Sequence, residues 1–90
     1  MTQDWDPTPD AKFVRRLGGG PSDSRRANTC PDVWELSDGN IAIVGVDVTE
    51  SYADQMPDEL HIFPDDEKLV VIPRSAFTKA VETFAGRDAD

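Results

Sequence analysis

The stretch that decides the fold is residues 30–48, which read CPDVWELSDGNIAIVGVDV. Residues 33–36 and 41–48 are apolar runs on either side of Asp38-Gly39. This dipeptide is typical of a two-residue type I′ turn, because both of its residues tolerate a positive φ. The stretch therefore predicts one β-hairpin. Residues 41–48 begin apolar on both alternating faces, so we expect the second strand to be central in the sheet and chiefly core.

The chain after the hairpin predicts two further short strands. Residues 60–63 have the pattern of an edge strand, and residues 68–72 are rich in strongly β-forming side chains. Between them, residues 64–67 predict a turn, since proline fixes φ and aspartate bonds to nearby backbone groups. Residues 49–59 are predicted to contain a short helical turn.

The C-terminal segment predicts a helix over residues 75–85. Phe77, Ala80, Val81 and Phe84 recur at i, i+3, i+4 and i+7 and form one apolar stripe. Packing this stripe on the sheet would hide both apolar surfaces. The predicted class is therefore α+β, a small antiparallel β-sheet of three to four strands with a C-terminal helix packed on one face. A small, partly open barrel is the alternative.

The first third of the chain differs from the rest in composition. We predict a flexible, disordered N-terminal arm over residues 1–29 and a single small α+β domain over residues 30–86. The arm contains GGGPSDS at residues 18–24, a linker composition that buries little. Within the arm, residues 10–17 predict two helical turns that would persist only when docked, because so short a helix is unstable alone.

Composition and charge limit the classes of function. Ninety residues with one cysteine form at most one small domain without an internal disulfide, which favours a cytoplasmic setting. No run reaches the roughly 20 apolar residues of a membrane span. The net charge is −9, and residues 31–90 hold four bases and fourteen acids, a balance of −10. Such a surface repels phosphates, so we expect no direct nucleic-acid binding by the folded domain.

Motifs for catalysis, cofactors and metals are not found. Cys30 and His61 lack the neighbouring signatures of nucleophilic catalysis. The acidic run at residues 65–67 lacks the ligand spacing of a calcium loop. Asp47 stands in an apolar run and is predicted to bond the turn that follows its strand. We therefore predict no catalytic, cofactor-binding or metal-binding residue, and a protein that is not an enzyme.

The candidate functional residues are those suited to a protein interface. An exposed tryptophan is a frequent anchor of binding energy, and Trp34 alternates faces with its neighbour Glu35. Acidic and basic groups on a surface select partners of complementary charge. The candidates are Trp34, Glu35, Asp65, Asp66, Glu67, Arg15 and Arg16.

Residues 30–39 and 66–74 carry a resemblance. They fit Cys-Pro-x-x-x-Glu-Leu-x-Asp-Gly followed by Asp-Glu-x-x-Val-x-Ile-Pro-Arg. This pattern resembles small acidic uncharacterised actinobacterial (streptomycete-like) proteins that are often encoded beside helix-turn-helix regulators. The resemblance covers residues 30–75 and assigns no catalytic residue. It implies an antitoxin-like or regulatory partner that modulates such a regulator through an acidic surface.

Two other classes of function remain open. A small ligand-binding module or enzyme would place polar groups in a cleft between sheet and helix, around Asp47 or His61. A purely structural homodimer would carry an apolar patch on the exposed sheet face or edge.

Overall fold

The computed structural model describes residues 6–20, 30–63 and 65–89, with side chains as far as residue 86. The class is α+β, as predicted. The elements in chain order are β1 (Phe13–Gly19), β2 (Asp32–Leu36), β3 (Ile41–Val44), β4 (Val46–Asp47), a 3₁₀ turn (Ala53–Gln55), β5 (Val70–Val71) and α1 (Arg74–Ala89). Among the described residues, no helix is long and apolar enough to cross a membrane.

Strands β1, β2 and β3 form an antiparallel sheet in that order, so β2 is the central strand. Trp34 on β2 pairs with Arg16 on one side and with Ala42 on the other. Strands β4 and β5 form a separate antiparallel pair, in which Val46 lies opposite Val71.

The predicted hairpin is confirmed, but its turn is of a different type. Asp32–Leu36 pairs with Ile41–Val44, and Leu36 N–H donates to the Asn40 carbonyl at 2.9 Å. Only Gly39 in this turn has a positive φ, of 88°. Its N–H donates to the Leu36 carbonyl at 3.0 Å. The loop therefore has three residues with glycine in the left-handed position, and the two-residue type I′ prediction is wrong.

The prediction that residues 41–48 form the central, buried strand is wrong. The run is divided at Gly45 into β3 and β4, and β3 is an edge of the three-stranded sheet. Ile43 is 48% exposed and Val44 is 58% exposed. A strand with apolar residues on both faces can be a central strand, but it can also be an edge strand whose apolar side chains are exposed to solvent. The sequence pattern alone does not distinguish the two.

The predicted helix at residues 10–17 is also wrong. Residues 13–17 of this segment belong to β1, which pairs with β2 along its length and is interrupted by two register shifts. As a strand, it bonds its backbone to β2 and buries Leu17, whereas two helical turns have little stability of their own. The folded unit therefore includes part of the predicted arm. Residues 1–5 and 21–29 of that arm lie outside the described residues.

The C-terminal helix is confirmed and extends beyond its predicted bounds, but it packs through a different face. Ala76 and Ala80 are buried, while Phe77 is 59% exposed and Val81 and Phe84 are also exposed. The cause lies in β1. A side chain on Gly18 would collide with the Ala76 carbonyl oxygen and would lie 2.9 Å from the Ala80 nitrogen. The small residues let the helix approach the strand closely, which excludes the large aromatic side chains from the contact.

The buried core is correspondingly small. Helix α1 packs mainly on β1 and less on β2. Leu17, Val33 and Ala80 form the buried cluster, and Ile72 packs against it. A core of this size gives limited stability, so covering exposed apolar surface by a partner would add substantially to it.

The segment between β4 and β5 is mostly irregular. The short helical turn is confirmed as the 3₁₀ turn, and the predicted turn after Phe63 is confirmed by bonds from Asp66 and Glu67 N–H to the Phe63 carbonyl. Residues 60–63 form no strand, so that prediction is wrong. The predicted strand at residues 68–72 is reduced to Val70–Val71, because β4 offers only two residues for pairing.

Candidate protein-interaction surface

The helix covers one side of the three-stranded sheet, and Trp34 lies on the other side. Directly paired residues of an antiparallel sheet share a face, and successive residues alternate. The register therefore places Trp34 with its partners and with residues two positions away. We call this side the aromatic face, and its members are Phe13, Arg16, Asp32, Trp34, Leu36, Ala42 and Val44.

Trp34 stands between an aromatic ring and a cation. The Phe13 ring meets it edge-on, with centroids 5.7 Å apart and an interplanar angle of 83°. The Arg16 guanidinium carbon lies 5.0 Å from the Trp34 ring centroid, within the range of a cation–π contact. Phe13 is 66% exposed, while Trp34 is half-buried by its neighbours. The two contacts hold the indole in one orientation at the surface.

Arg16 is itself fixed by a bidentate ion pair with Asp32. Its Nε donates to Asp32 Oδ1 at 2.7 Å and its Nη2 donates to Oδ2 at 3.0 Å. These bonds from Arg16 hold the pKa of the Asp32 carboxyl below its usual range, and hydrogen bonding by the Trp34 side chain lowers it further. The same bonds raise the pKa of Arg16. Bidentate geometry gives the planar guanidinium a defined orientation over the indole.

Arg15 and Glu35 do not belong to the aromatic face. They pair across β1 and β2 on the side of the sheet that carries the helix, and Arg15 Nε donates to Glu35 Oε1 at 2.9 Å. Glu35 is only 5% exposed. Glu35 is therefore buried on the covered side of the sheet, with Arg15 half-buried beside it, and the ion pair compensates the buried carboxylate.

The remaining candidates lie in an exposed acidic turn. Asp65 and Asp66 are exposed, and Glu67 Oε1 accepts a bond from the Phe63 N–H at 3.0 Å. This turn is part of a longer stretch, residues 47–67, which we call the acidic segment. It holds eight carboxylates and no lysine or arginine, and all eight are exposed. The described contacts do not join this segment to the aromatic face.

Asp47 has the local role that was predicted for it. Its Oδ1 accepts bonds from the Thr49 N–H at 3.0 Å and from the Thr49 hydroxyl at 2.7 Å. These bonds lower the pKa of Asp47. The Thr49 oxygen in turn accepts the Leu69 N–H at 2.8 Å, which links the turn to the strand that follows the acidic segment.

The other reactive side chains are isolated at the surface. Cys30 and His61 are both exposed. Within the described part of the chain, no three His, Cys, Asp or Glu residues lie close enough together to hold a metal ion.

Phe13 and Asp32 are members of the aromatic face that the sequence reasoning did not select. Phe13 reaches this face only because residues 13–19 form a strand, and a helix there would not set Arg16 beside Trp34 and Asp32. Residues 13–19 offer no regular alternation that would have indicated the strand, because register shifts interrupt it and place Phe13 and Arg15 on opposite faces.

Comparison with known proteins adds no relative. No protein-family model matches the chain, and no curated protein or solved structure is significantly similar to it.

Proposed function

We propose that this chain is a non-enzymatic protein-interaction module whose aromatic face binds a partner protein. The observation that carries the proposal is Trp34, which is oriented at the surface by Phe13 and Arg16. Tryptophan and arginine are enriched among residues that dominate binding energy. Because their orientation is fixed before binding, less conformational entropy is lost when a partner docks.

The charge of the chain supports a basic partner. The acidic segment presents its carboxylates to solvent, whereas the Arg16–Asp32 pair leaves the aromatic face with balanced charge. A partner with an apolar patch beside a basic surface would be attracted by the acids and held by the aromatic contact.

The proposed partner is a helix-turn-helix regulator, in keeping with the resemblance carried by residues 30–75. The mechanism is masking: acidic side chains occupy the basic surface that the regulator uses for DNA, and the aromatic face supplies apolar contact. We propose that this takes place in the cytoplasm, where an unpaired cysteine such as Cys30 is usual.

The test is affinity purification from the native host with the full chain as bait, followed by mass spectrometry. The proposal expects recovery of a DNA-binding regulator. Adding the purified chain to that regulator should then release its DNA in an electrophoretic mobility assay. The masking mechanism would be overturned if the recovered proteins include no DNA-binding regulator. It would also be overturned if a recovered regulator stays bound to DNA when saturated with the chain.

A structural homodimer is the second candidate, favoured by the edge strand β3. Ile41, Ile43 and Val44 are all exposed, and the strand has no lysine or proline to discourage pairing. Two copies joined at this edge would cover these side chains. Light scattering at high protein concentration decides between the candidates, since a monomer there excludes the homodimer.

A further inference from the structure

A small apolar groove lies in the irregular segment between β4 and β5. Its volume is about 130 Å³. The residues that line it are Tyr52, Gln55, Met56, Pro57, Leu60 and Leu69. All but Gln55 offer apolar or aromatic surface, so the groove suits an apolar group rather than an ion.

Backbone hydrogen bonds hold the walls of the groove in place. Tyr52 N–H donates to the Val48 carbonyl at 2.9 Å, and Leu60 N–H donates to the Pro57 carbonyl at 3.0 Å. On the opposite wall, Leu69 is bonded through its N–H to Thr49 Oγ1 and through its carbonyl to the Val48 N–H. The groove is therefore formed before any ligand arrives, as most binding sites are.

The groove lies in the most acidic part of the chain. Asp54, Asp58 and Glu59 are direct chain neighbours of its lining residues, and all three are exposed. They belong to the acidic segment, which has no lysine or arginine. Lys68 adjoins the lining residue Leu69 and is also exposed, so the described chain neighbours of the lining residues include three carboxylates and one ammonium group. An apolar groove with this excess of negative charge is complementary to an apolar side chain that is flanked by basic residues.

We propose that this groove holds one aliphatic side chain, of leucine size, from a basic segment of a partner protein. The inference rests on the proposed function and specifies the chemistry of the partner. An apolar cavity of about 150 Å³ accommodates benzene, so a groove of about 130 Å³ has room for a branched aliphatic side chain. The lysines or arginines on either side of that residue would lie near the carboxylates of Asp54, Asp58 and Glu59.

The probe is an acetylated, amidated pentapeptide with one leucine between two pairs of arginines, titrated into the full chain. Binding is followed by amide shifts in nuclear magnetic resonance spectra, which also report where the peptide lies. We expect shifts at residues 52–60 and at Leu69. Replacing the peptide leucine by alanine should weaken binding by about tenfold, the effect of losing one buried aliphatic side chain.

A charge variant and its matched control separate groove binding from general attraction. The variant is Asp54→Asn, Asp58→Asn, Glu59→Gln, and the control is Asp6→Asn, Asp10→Asn, Glu82→Gln. Both remove three exposed carboxylates, so both chains have the same net charge. The variant should lower the affinity for the leucine peptide several-fold more than the control does. An equal loss of affinity in the variant and the control would overturn the proposal that the groove binds the peptide. Equal binding of the leucine and alanine peptides would overturn it as well.

Different results would contradict the groove inference and the proposed function. If the peptide shifts map to the aromatic face, or if it does not bind, the groove inference is wrong. The proposed function is tested separately by recovery of a regulator and release of its DNA. As a further check, Phe77→Ser should leave peptide binding unchanged, because Phe77 lies on the helix and belongs neither to the groove nor to the aromatic face.

Discussion

Arg15 and Arg16 are neighbours in the chain, yet their guanidinium groups lie on opposite sides of the sheet. Arg15 bonds the buried Glu35 at 2.9 Å on the side covered by the helix. Arg16 bonds Asp32 at 2.7 Å on the aromatic face and stands over Trp34. The alternation of a β-strand thus gives one basic pair two roles, one in the stability of the fold and one at the proposed interface.

These two roles can be separated by matched substitutions. Arg15→Met keeps the aliphatic volume but removes the guanidinium beside buried Glu35, so we expect a loss of about 1.5–3 kcal/mol in the free energy of unfolding. Arg16→Met acts on a more exposed pair, which solvent screens, and should cost less stability than Arg15→Met. Urea unfolding followed by circular dichroism gives both values. A larger loss for Arg16→Met would mean that the sides of the sheet are assigned incorrectly.

The close contact between β1 and the helix makes a second prediction. Gly18→Ala places a methyl group against the Ala76 carbonyl oxygen, so we expect the free energy of unfolding to fall by about 1–3 kcal/mol. Gly86→Ala is the control, because a side chain there meets no atom within 4 Å. It should stabilise the helix by up to about 1 kcal/mol. Thermal melts of both variants test the contact, and an unchanged melt for Gly18→Ala would contradict it.

The Arg16–Asp32 pair predicts a dependence of stability on pH. The folded pKa of Asp32 is lowered, so the unfolded chain binds its proton more readily. The contribution of the pair is therefore complete above the ordinary aspartate pKa of about 3.9 and is lost as the pH falls through the folded value. The measurement is the urea midpoint at about pH 6 and about pH 3.

Acidification also relieves repulsion in a chain of net charge −9, so the comparison requires variants. Asp32→Asn should lose less stability between the two pH values than the unaltered chain does. Asp65→Asn removes an exposed carboxylate outside the pair and should behave like the unaltered chain. Identical losses in all three proteins would show that the pair does not contribute.

The fold class could be predicted from local patterns in the sequence. The positions of several elements could not. The hairpin and the helix were predictable because residues 30–48 and 75–85 carry strong short-range signals. The strand at residues 13–19 could not be predicted in the same way. It contains two register shifts, so its structure is specified by pairing with β2 and not by its own sequence pattern. The packing face of the helix depended on Gly18, which lies far from the helix in sequence.

The same limit applies to the candidate site. Trp34 could be selected from the sequence because tryptophan is a frequent anchor of protein interfaces, and Arg16 because it is basic. Their contact could not be predicted, since it depends on the register between β1 and β2. For the same reason Glu35, chosen as a surface acid, is buried beside Arg15.

Binding through the aromatic face is tested most sharply by the affinity of the captured partner for two phenylalanine variants of the full chain. Phe13 is 66% exposed on the aromatic face, and Phe77 is 59% exposed on the helix. Each substitution to serine removes the same apolar group from a similarly exposed position. We predict that Phe13→Ser raises the Kd of the partner at least about tenfold, as expected for an interface contact next to a hot spot, while Phe77→Ser leaves it unchanged. Equal affinities for the two variants, or a greater loss for Phe77→Ser, would contradict the aromatic face as the binding surface.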